Sequence, residues 1–493
     1  MKNKYLLALS ALFLGMNLPA ALKADTGQDD NRKVVIRWDS EKQSIDGFGV
    51  GQADWADDVF VFKNRDQVMD KLFGTDGLRL NILRGEIFPH YWEDIHDKDF
   101  NTKDNIDINT LRSQLPQIET RDLLRRGQLW LTLEAQNKYH LNKLVFSVWS
   151  PPAWMKDNGH LPHDKWVSGG KLKPEHYQDF ADYLVAFYEA YRSVGIQTYA
   201  ISPSNEPAYA APWNSCLWTP QEMGKFITQY LGPTFEKRKV PAKIIFGENP
   251  AWSVNFDMLR VASSLDFTTK IIEDYPEITR FHPIAAGHGY TFPDTLKIPK
   301  EYLKTPIIPF KKAEEKHIPV WVTEISDIDP LDTSVEDGIQ WAKTFHRYLS
   351  DANVNGFIWW CGAMPTTTNE SLIVLNPDQE NFILTKRYDM FGNFTRYIPE
   401  GSKRIEVENR HSELLISAFK KGKEYSIVII NPTKESQTTT ISLNNEKVLN
   451  SLRGYLTDET NRWKESSYQL NKKKELELQI SKESVITLVG HLK

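Results

Sequence analysis

The sequence predicts an α/β protein built on a (β/α)8 (TIM) barrel, with a side antiparallel β-sandwich domain formed by the C-terminus plus an N-terminal strand. Three observations carry this. From Gly47 to about Gly362, short β-rich apolar runs that end in polar or aromatic residues alternate with longer stretches of helical periodicity. The runs number eight, the count that closes a barrel rather than leaving an open doubly wound sheet. After about Gly401 the texture changes to short alternating runs separated by turn signals, as in a sandwich.

Taken in order, the chain opens with Lys2 and Lys4, an apolar run from Tyr5 to Leu18, and small residues at Ala20, Ala21 and Ala24. This is a signal-peptide pattern with cleavage expected after Ala24, and its apolar run is shorter than the ~20 residues a spanning helix needs. The protein is therefore expected to be secreted or periplasmic, with no membrane insertion after residues 1–24 are removed. That removal takes away Lys2, Lys4 and Lys23 and no acid, so the formal charge falls from -5 to -8. A mildly acidic protein is a poor partner for nucleic acid. The polar stretch from Thr26 to Lys33 reads as a linker, and VVIRWD is a strand without a barrel role that is expected to join the C-terminal sheet. Residues 25–46 are thus assigned to linker and side-domain strand, 47–398 to the barrel and 399–493 to the side domain.

The eight barrel runs are DGFGVG, GLRLNILRGEI, NKLVFSVWS, TYAISPSNEP, AKIIFGEN, IAAGHGYTF, IPVWVTEIS and NGFIWWCG. HYQDFADYLVAFYEAYRSVG and VEDGIQWAKTFHRYLSDANV are helices between them. RIEVENR, ELLISAFKKG, EYSIVIINPT, TTTISL, LELQI and SVITLVG supply the side domain. Only Cys216 and Cys361 are present, too few for a cysteine framework and enough for one disulfide at most.

In such a barrel the chemistry sits at the C-terminal strand ends, where the loops converge on one mouth. Arg84, Trp149, Asn205, Glu206, Tyr290, Glu324 and Trp360 all fall there. Glu206 precedes Pro207, which cannot continue a sheet, so the strand ends and the acid enters the mouth. An isolated NEP tripeptide is also compatible with an exposed loop glutamate. Glu324 follows Val320, Trp321, Val322 and Thr323, a strand buried on both faces, so its charge needs a partner. Arg84 is the expected partner, with Arg79 the competitor earlier in the same run; a purely structural ion pair is the alternative. Two carboxylates so placed suit glycosidic bond cleavage, one protonating the leaving oxygen and one meeting the sugar cation.

Asn205 is expected to bond a sugar hydroxyl and Tyr290 to hold an oxygen of Glu324. Trp149, Trp154, Trp213, Trp218, Trp359 and Trp360 lie at or after strand ends, where aromatic faces stack on sugars but also fill cores. Glu248 and Asp54 have nothing in sequence that separates them from rim residues. His282, His288 and His317 lack a close ligand spacing, so no metal site and no cofactor are expected.

Together Asp46-Gly47-Phe48-Gly49, Leu83-Arg84, Trp149-Ser150-Pro151-Pro152-Ala153-Trp154-Met155-Lys156, Leu172-Lys173-Pro174-Glu175-His176-Tyr177, Ser204-Asn205-Glu206-Pro207, Thr323-Glu324, Trp359-Trp360 and Lys386-Arg387-Tyr388 resemble glycoside hydrolase family 30. The resemblance spans almost the whole chain after the signal region and implies a clan A retaining β-glycosidase, with Glu206 as acid/base and Glu324 as nucleophile. Around LKPEHY and NEPAYAAPW it is nearest the bacterial xylanase branch. Members that require a glucuronate branch place an arginine in the loop after strand eight; here CGAMPTTTNESL carries no cation before Lys386. The expected function is therefore endo cleavage of an undecorated β-1,4-xylan, with β-1,6-galactan, β-1,6-glucan or an exo-β-glycosidase activity as alternatives. A carbohydrate-binding protein on a degenerate barrel is the non-enzyme alternative. The expected partner is a polysaccharide or oligosaccharide, and the expected state a monomer.

Overall fold

A computed structural model describes residues 32–52, 55–88, 126–160, 170–211, 213–255, 262–290 and 306–493. The expected signal peptide, most of the linker and Asp54 lie outside the described residues. Two sheets organise the chain. In the first, eight parallel strands close a barrel: β2 (Gly47–Gly51), β3 (Ile82–Glu86), β4 (Lys143–Ser147), β5 (Thr198–Ser202), β6 (Lys243–Asn249), β7 (Ile284–His288), β8 (Val320–Glu324) and β9 (Gly356–Met364). Closure is made by β9, which pairs with both β8 and β2. At this seam Gly51 is needed for close approach: a Cβ there would lie 2.6 Å from the Trp360 carbonyl oxygen.

The interior of the barrel is filled by Ile82, Val145, Ala200, Ile245, Ile284, Ala286, Trp321 and Ile358, all buried. These come from successive strands, as inward-pointing layers do. Two residues further along, alternation turns Arg84, Ser147, His288 and Trp360 to the same inner side, at the mouth.

The strand after Met364 differs from the expected loop. β10 (Ser371–Asn376) runs parallel to β9, and β11 (Asn381–Leu384) returns antiparallel to it, extending the sheet past the barrel rim. No Lys or Arg lies between Met364 and Thr385, and Lys386 turns away, its Nζ donating to the Asp458 carbonyl.

The second sheet has nine strands. β1 (Lys33–Ser44) lies antiparallel to β12 (Lys403–Asn409) and parallel to β15 (Gln437–Ser442), so the N-terminal strand is stitched into the C-terminal sheet. β13 (Leu415–Lys421), β14 (Glu424–Asn431), β18 (Glu475–Ile480) and β19 (Ser484–His491) match the expected runs. β16 (Ser451–Thr457) and β17 (Lys464–Gln469) do not correspond to any of them. The sheet encloses its own apolar cluster, to which Ile36, Ile427, Leu452, Leu476 and Leu488 contribute. The helix Lys386–Thr395 ties the sheets together: Trp463 Nε1 donates to the Asp389 carbonyl and Asn393 Nδ2 to that of Tyr455.

Cys216 and Cys361 are both buried and neither is in a disulfide. Among the described residues no helix is long and apolar enough to cross a membrane.

Candidate active site

The mouth is organised by one guanidinium. Arg84, in the middle of β3, is 1% exposed, donates from Nη1 to Glu324 Oε2 at 2.7 Å and from Nη2 to Asn205 Oδ1 at 2.7 Å. The same Nη2 lies 3.2 Å from Glu248 Oε1. A planar fork can hold three acceptors in fixed directions, which a lysine ammonium on a flexible stem cannot. Its other face carries Trp149, whose ring centroid is 4.9 Å from the guanidinium carbon. Arg79 is exposed and donates to the Thr75 carbonyl, away from the mouth.

Glu324 is held on both oxygens, since the Tyr290 hydroxyl donates to Oε1 at 2.7 Å. Glu206 is placed differently. It adopts φ 47, in the left-handed region that a glutamate rarely enters, and its amide donates to the Glu248 carbonyl. Its Oε1 lies 3.3 Å from His288 Nδ1, and its Oε2 is buried without a hydrogen-bond partner. Donor atoms of Glu206, His288 and Glu324 all fall within 4.8 Å of one another. This is the one group of His, Cys, Asp and Glu among the described residues close enough to enclose a cation. A dication there would meet the fixed positive charge of Arg84 beside Glu324.

The electrostatics separate the two acids. Burial, then the neighbouring Glu324 charge, push the Glu206 carboxyl well above the usual carboxylate range, with Arg84 opposing. Burial raises Glu324 as well, but Arg84 and the Tyr290 hydroxyl stabilise its ionised form directly. When the close pair holds one proton, that proton therefore rests on Glu206. Burial and the Arg84 charge drive His288 well below its ordinary value, so it stands neutral between them.

Glu248 corrects the reading of it as an ordinary rim residue. It is 0% exposed, its Oε2 accepts from Ser147 Oγ at 2.8 Å, and its Oε1 faces Arg84. The cause is local: Gly247 at φ 106 and Glu248 at φ 53 shift the register of β6 against β7. That irregularity turns toward the barrel axis a side chain that regular alternation would point outward.

The tryptophans divide. Trp149 and Trp360 face each other at the mouth with ring centroids 6.0 Å apart. Trp218 is buried among Tyr177, Phe180 and Phe226, and Trp359 is fully buried with Nε1 donating to the Glu370 carbonyl, so both are core residues. Trp154 packs edge-on against His176, and Trp213 stands exposed beside Tyr209.

The sequence profile of O-Glycosyl hydrolase family 30 matches residues 120–374. Glucuronoxylanase XynC of Bacillus subtilis (strain 168) is 24% identical, covering 87% of this chain and 85% of its own length. Putative glucosylceramidase 3 of Caenorhabditis elegans is likewise 24% identical, covering 85% of this chain and 80% of its own. In fold, the catalytic domain of a family 30 xylanase C from Talaromyces cellulolyticus superposes with a TM-score of 0.74 at 20% identity, covering 93% of this chain and 99% of that one.

Proposed function

This chain belongs to O-glycosyl hydrolase family 30 and is a glycoside hydrolase, and from that premise we propose that Glu324 and Glu206 cleave a cell-wall β-glycan by double displacement. Glu324 attacks the anomeric carbon while Glu206 gives its proton to the departing oxygen, so the C–O bond breaks as a glycosyl ester forms. Glu206, now ionised, takes a proton from water, which attacks the same carbon and releases Glu324. Two inversions leave the configuration retained.

The observation that carries this reading is the asymmetry of a close pair. The nearest carboxylate oxygens of the two acids are within 4.8 Å, in keeping with the roughly 5–5.5 Å between the carboxyl groups of a retaining pair. Only Glu324 is gripped by a cation and a hydroxyl donor, while Glu206 sits in the dry, proton-retaining position. Asn205, its Oδ1 taken by Arg84, has its amide N–H groups left for the hydroxyl beside the reacting carbon. Trp149 and Trp360 wall the ring being cleaved.

For substrate the leading class is β-1,4-xylan cut within the chain, with β-1,6-galactan and β-1,6-glucan next. Similarity to a glucuronoxylanase supports a xylan; the absence of Lys and Arg between Met364 and Thr385 argues against dependence on a glucuronate branch. The enzyme acts outside the cytoplasm as a monomer, with residues 1–24 removed, and uses no cofactor.

The test is Glu324→Gln against a panel of plain xylan, methylglucuronoxylan, β-1,6-galactan and β-1,6-glucan, with the anomer of the first product followed by NMR. Wild type should release the β-anomer and show no requirement for glucuronate; the variant should lose about 10^4-fold or more. Full activity in the variant, or an α-anomeric first product, would remove Glu324 from the nucleophile role.

A further inference from the structure

The general acid touches the oxygen that departs, so whatever surrounds Glu206 on its loop side receives the leaving part of the substrate. That loop is built firmly. The Ala208 amide donates to Asn249 Oδ1 at 2.9 Å, and the Trp218 amide to the Pro207 carbonyl at 2.8 Å, which clamps both ends. Between the clamps the Tyr209 amide donates to the Glu206 carbonyl at 2.9 Å and the Ala211 amide to that of Tyr209 at 3.0 Å, a pair of tight turns that fixes Tyr209 beside the acid. The Tyr209 phenol feels that proximity: burial first, and then the Glu206 charge, raise it above its ordinary value.

Trp213 stands over the half-buried Tyr209, ring centroids 6.0 Å apart at 69°. Trp213 is 49% exposed, the one aromatic among the exposed large hydrophobic residues of the described structure. Trp218, only five positions on, is by contrast packed into the core. A tryptophan held open on a clamped loop, backed by a second aromatic that itself adjoins the acid, is a flat apolar surface of the size of one pyranose ring.

We propose that Tyr209 and Trp213 form the subsite for the leaving part of the substrate, where the sugar unit on the reducing-end side of the broken bond stacks its C–H face on the Trp213 indole. This rests on Glu206 acting as acid/base. The substrate then continues past the scissile bond as sugar rather than ending in an alcohol or a lipid, and cleavage falls within a chain.

The experiment compares Trp213→Ala, Trp213→Phe and wild type on three probes that share the sugar of the panel glycan cleaved fastest: its linear hexasaccharide, its β-glycosyl fluoride and its octyl β-glycoside. Fluoride is too small to reach Trp213, so its release reports everything except this subsite. Expected for Trp213→Ala is a fall in kcat/KM of about tenfold on the hexasaccharide, less than twofold on the fluoride, and an intermediate loss on the hexasaccharide for Trp213→Phe. An equal fall on the fluoride, or none on the hexasaccharide, overturns the subsite. A larger loss on the octyl glycoside than on the hexasaccharide overturns the sugar as its occupant. The acid/base reading is judged separately by azide rescue of Glu206→Ala, so failure of the split with rescue intact strikes the subsite alone.

Discussion

Replacing Arg84 by Met keeps an unbranched apolar stem and deletes the guanidinium with its charge, and the consequences follow from what that group now holds. Two buried carboxyl groups, Glu324 at 2.7 Å and Glu248 at 3.2 Å, would lose their shared cation, and Asn205 would lose its anchor. Removing one partner of a buried pair costs about 3–5 kcal/mol while the other charge stays in place. That is a large share of a typical total of about 5–15 kcal/mol, and a carboxylate can escape it by binding a proton. Glu324, already lifted by burial, would therefore rise further. The sign follows: the variant's deficit in stability is greatest at high pH, where the carboxylates must stay charged, and shrinks as pH falls through the folded-state value. The acidic limb of kcat/KM, set by ionisation of the nucleophile, should move to higher pH. Arg84→Lys restores a charge but not the two directed hydrogen bonds to Glu324 and Asn205, so it should recover part of the stability and little of the rate. Thermal melting at pH 5 and pH 8, with kcat/KM across the range, reads both effects. An unmoved acidic limb in Arg84→Met, with the same melting deficit at both pH values, would refute the assignment of Arg84 as the group that keeps Glu324 ionised.

Glu206→Ala should lose about 10^2- to 10^4-fold on glycans with poor leaving groups, lose the alkaline limb of the profile, and form a β-glycosyl azide when azide is supplied; a retained alkaline limb would assign that limb to another group. Tyr290→Phe removes only the 2.7 Å donation to Glu324 Oε1, and since bonds to charged groups are worth about 1.5–3 kcal/mol it should cost roughly 10- to 100-fold in kcat/KM. An unchanged kcat/KM would show that this bond does not survive substrate binding.

Much of this architecture is visible in sequence because the signals are local. Each of the eight barrel runs is a buried parallel strand, and such strands are written as unbroken apolar stretches. β5 ends at Ser202, earlier than the strand end expected beside Pro207, so Glu206 enters the mouth from a turn, and VVIRWD has no place in the barrel. Glu248 was opaque for a definite reason. With Ile245 facing the axis, period-2 alternation sends residue 248 outward, and only the left-handed pair Gly247 and Glu248 reverses it. Spacing says nothing of a role for His288, although alternation from Ile284 and Ala286 already aims it inward. β16 and β17 escaped because LRGYLT and KESSYQ lack a clean apolar alternation; β17 lies at a sheet edge, mostly exposed.

The acids share a feature that the sequence does not spell. Glu206 and Glu248 both have positive φ, and Glu324 follows a register shift of β8 against β7, where Gly287 opposes Val322 and His288 opposes Glu324. Regular alternation in a closed barrel delivers apolar layers, here ending in Trp321 and Ile358, and then the polar layer of Arg84, Ser147 and His288 above them. Breaking the rhythm at the end of β8 and β6 places the Glu324 and Glu248 carboxyl groups above the apolar plug. Glu324 is held by the sheet itself, and Glu206, four residues beyond β5, is tied to the strand ends by the Asn205 amide donating to the Val148 carbonyl and its own amide to that of Glu248, the rigidity that differential stabilisation of a transition state requires. The β10–β11 hairpin and the loop bearing Trp213 lie beyond the eight barrel strands, where a change need not move the pair.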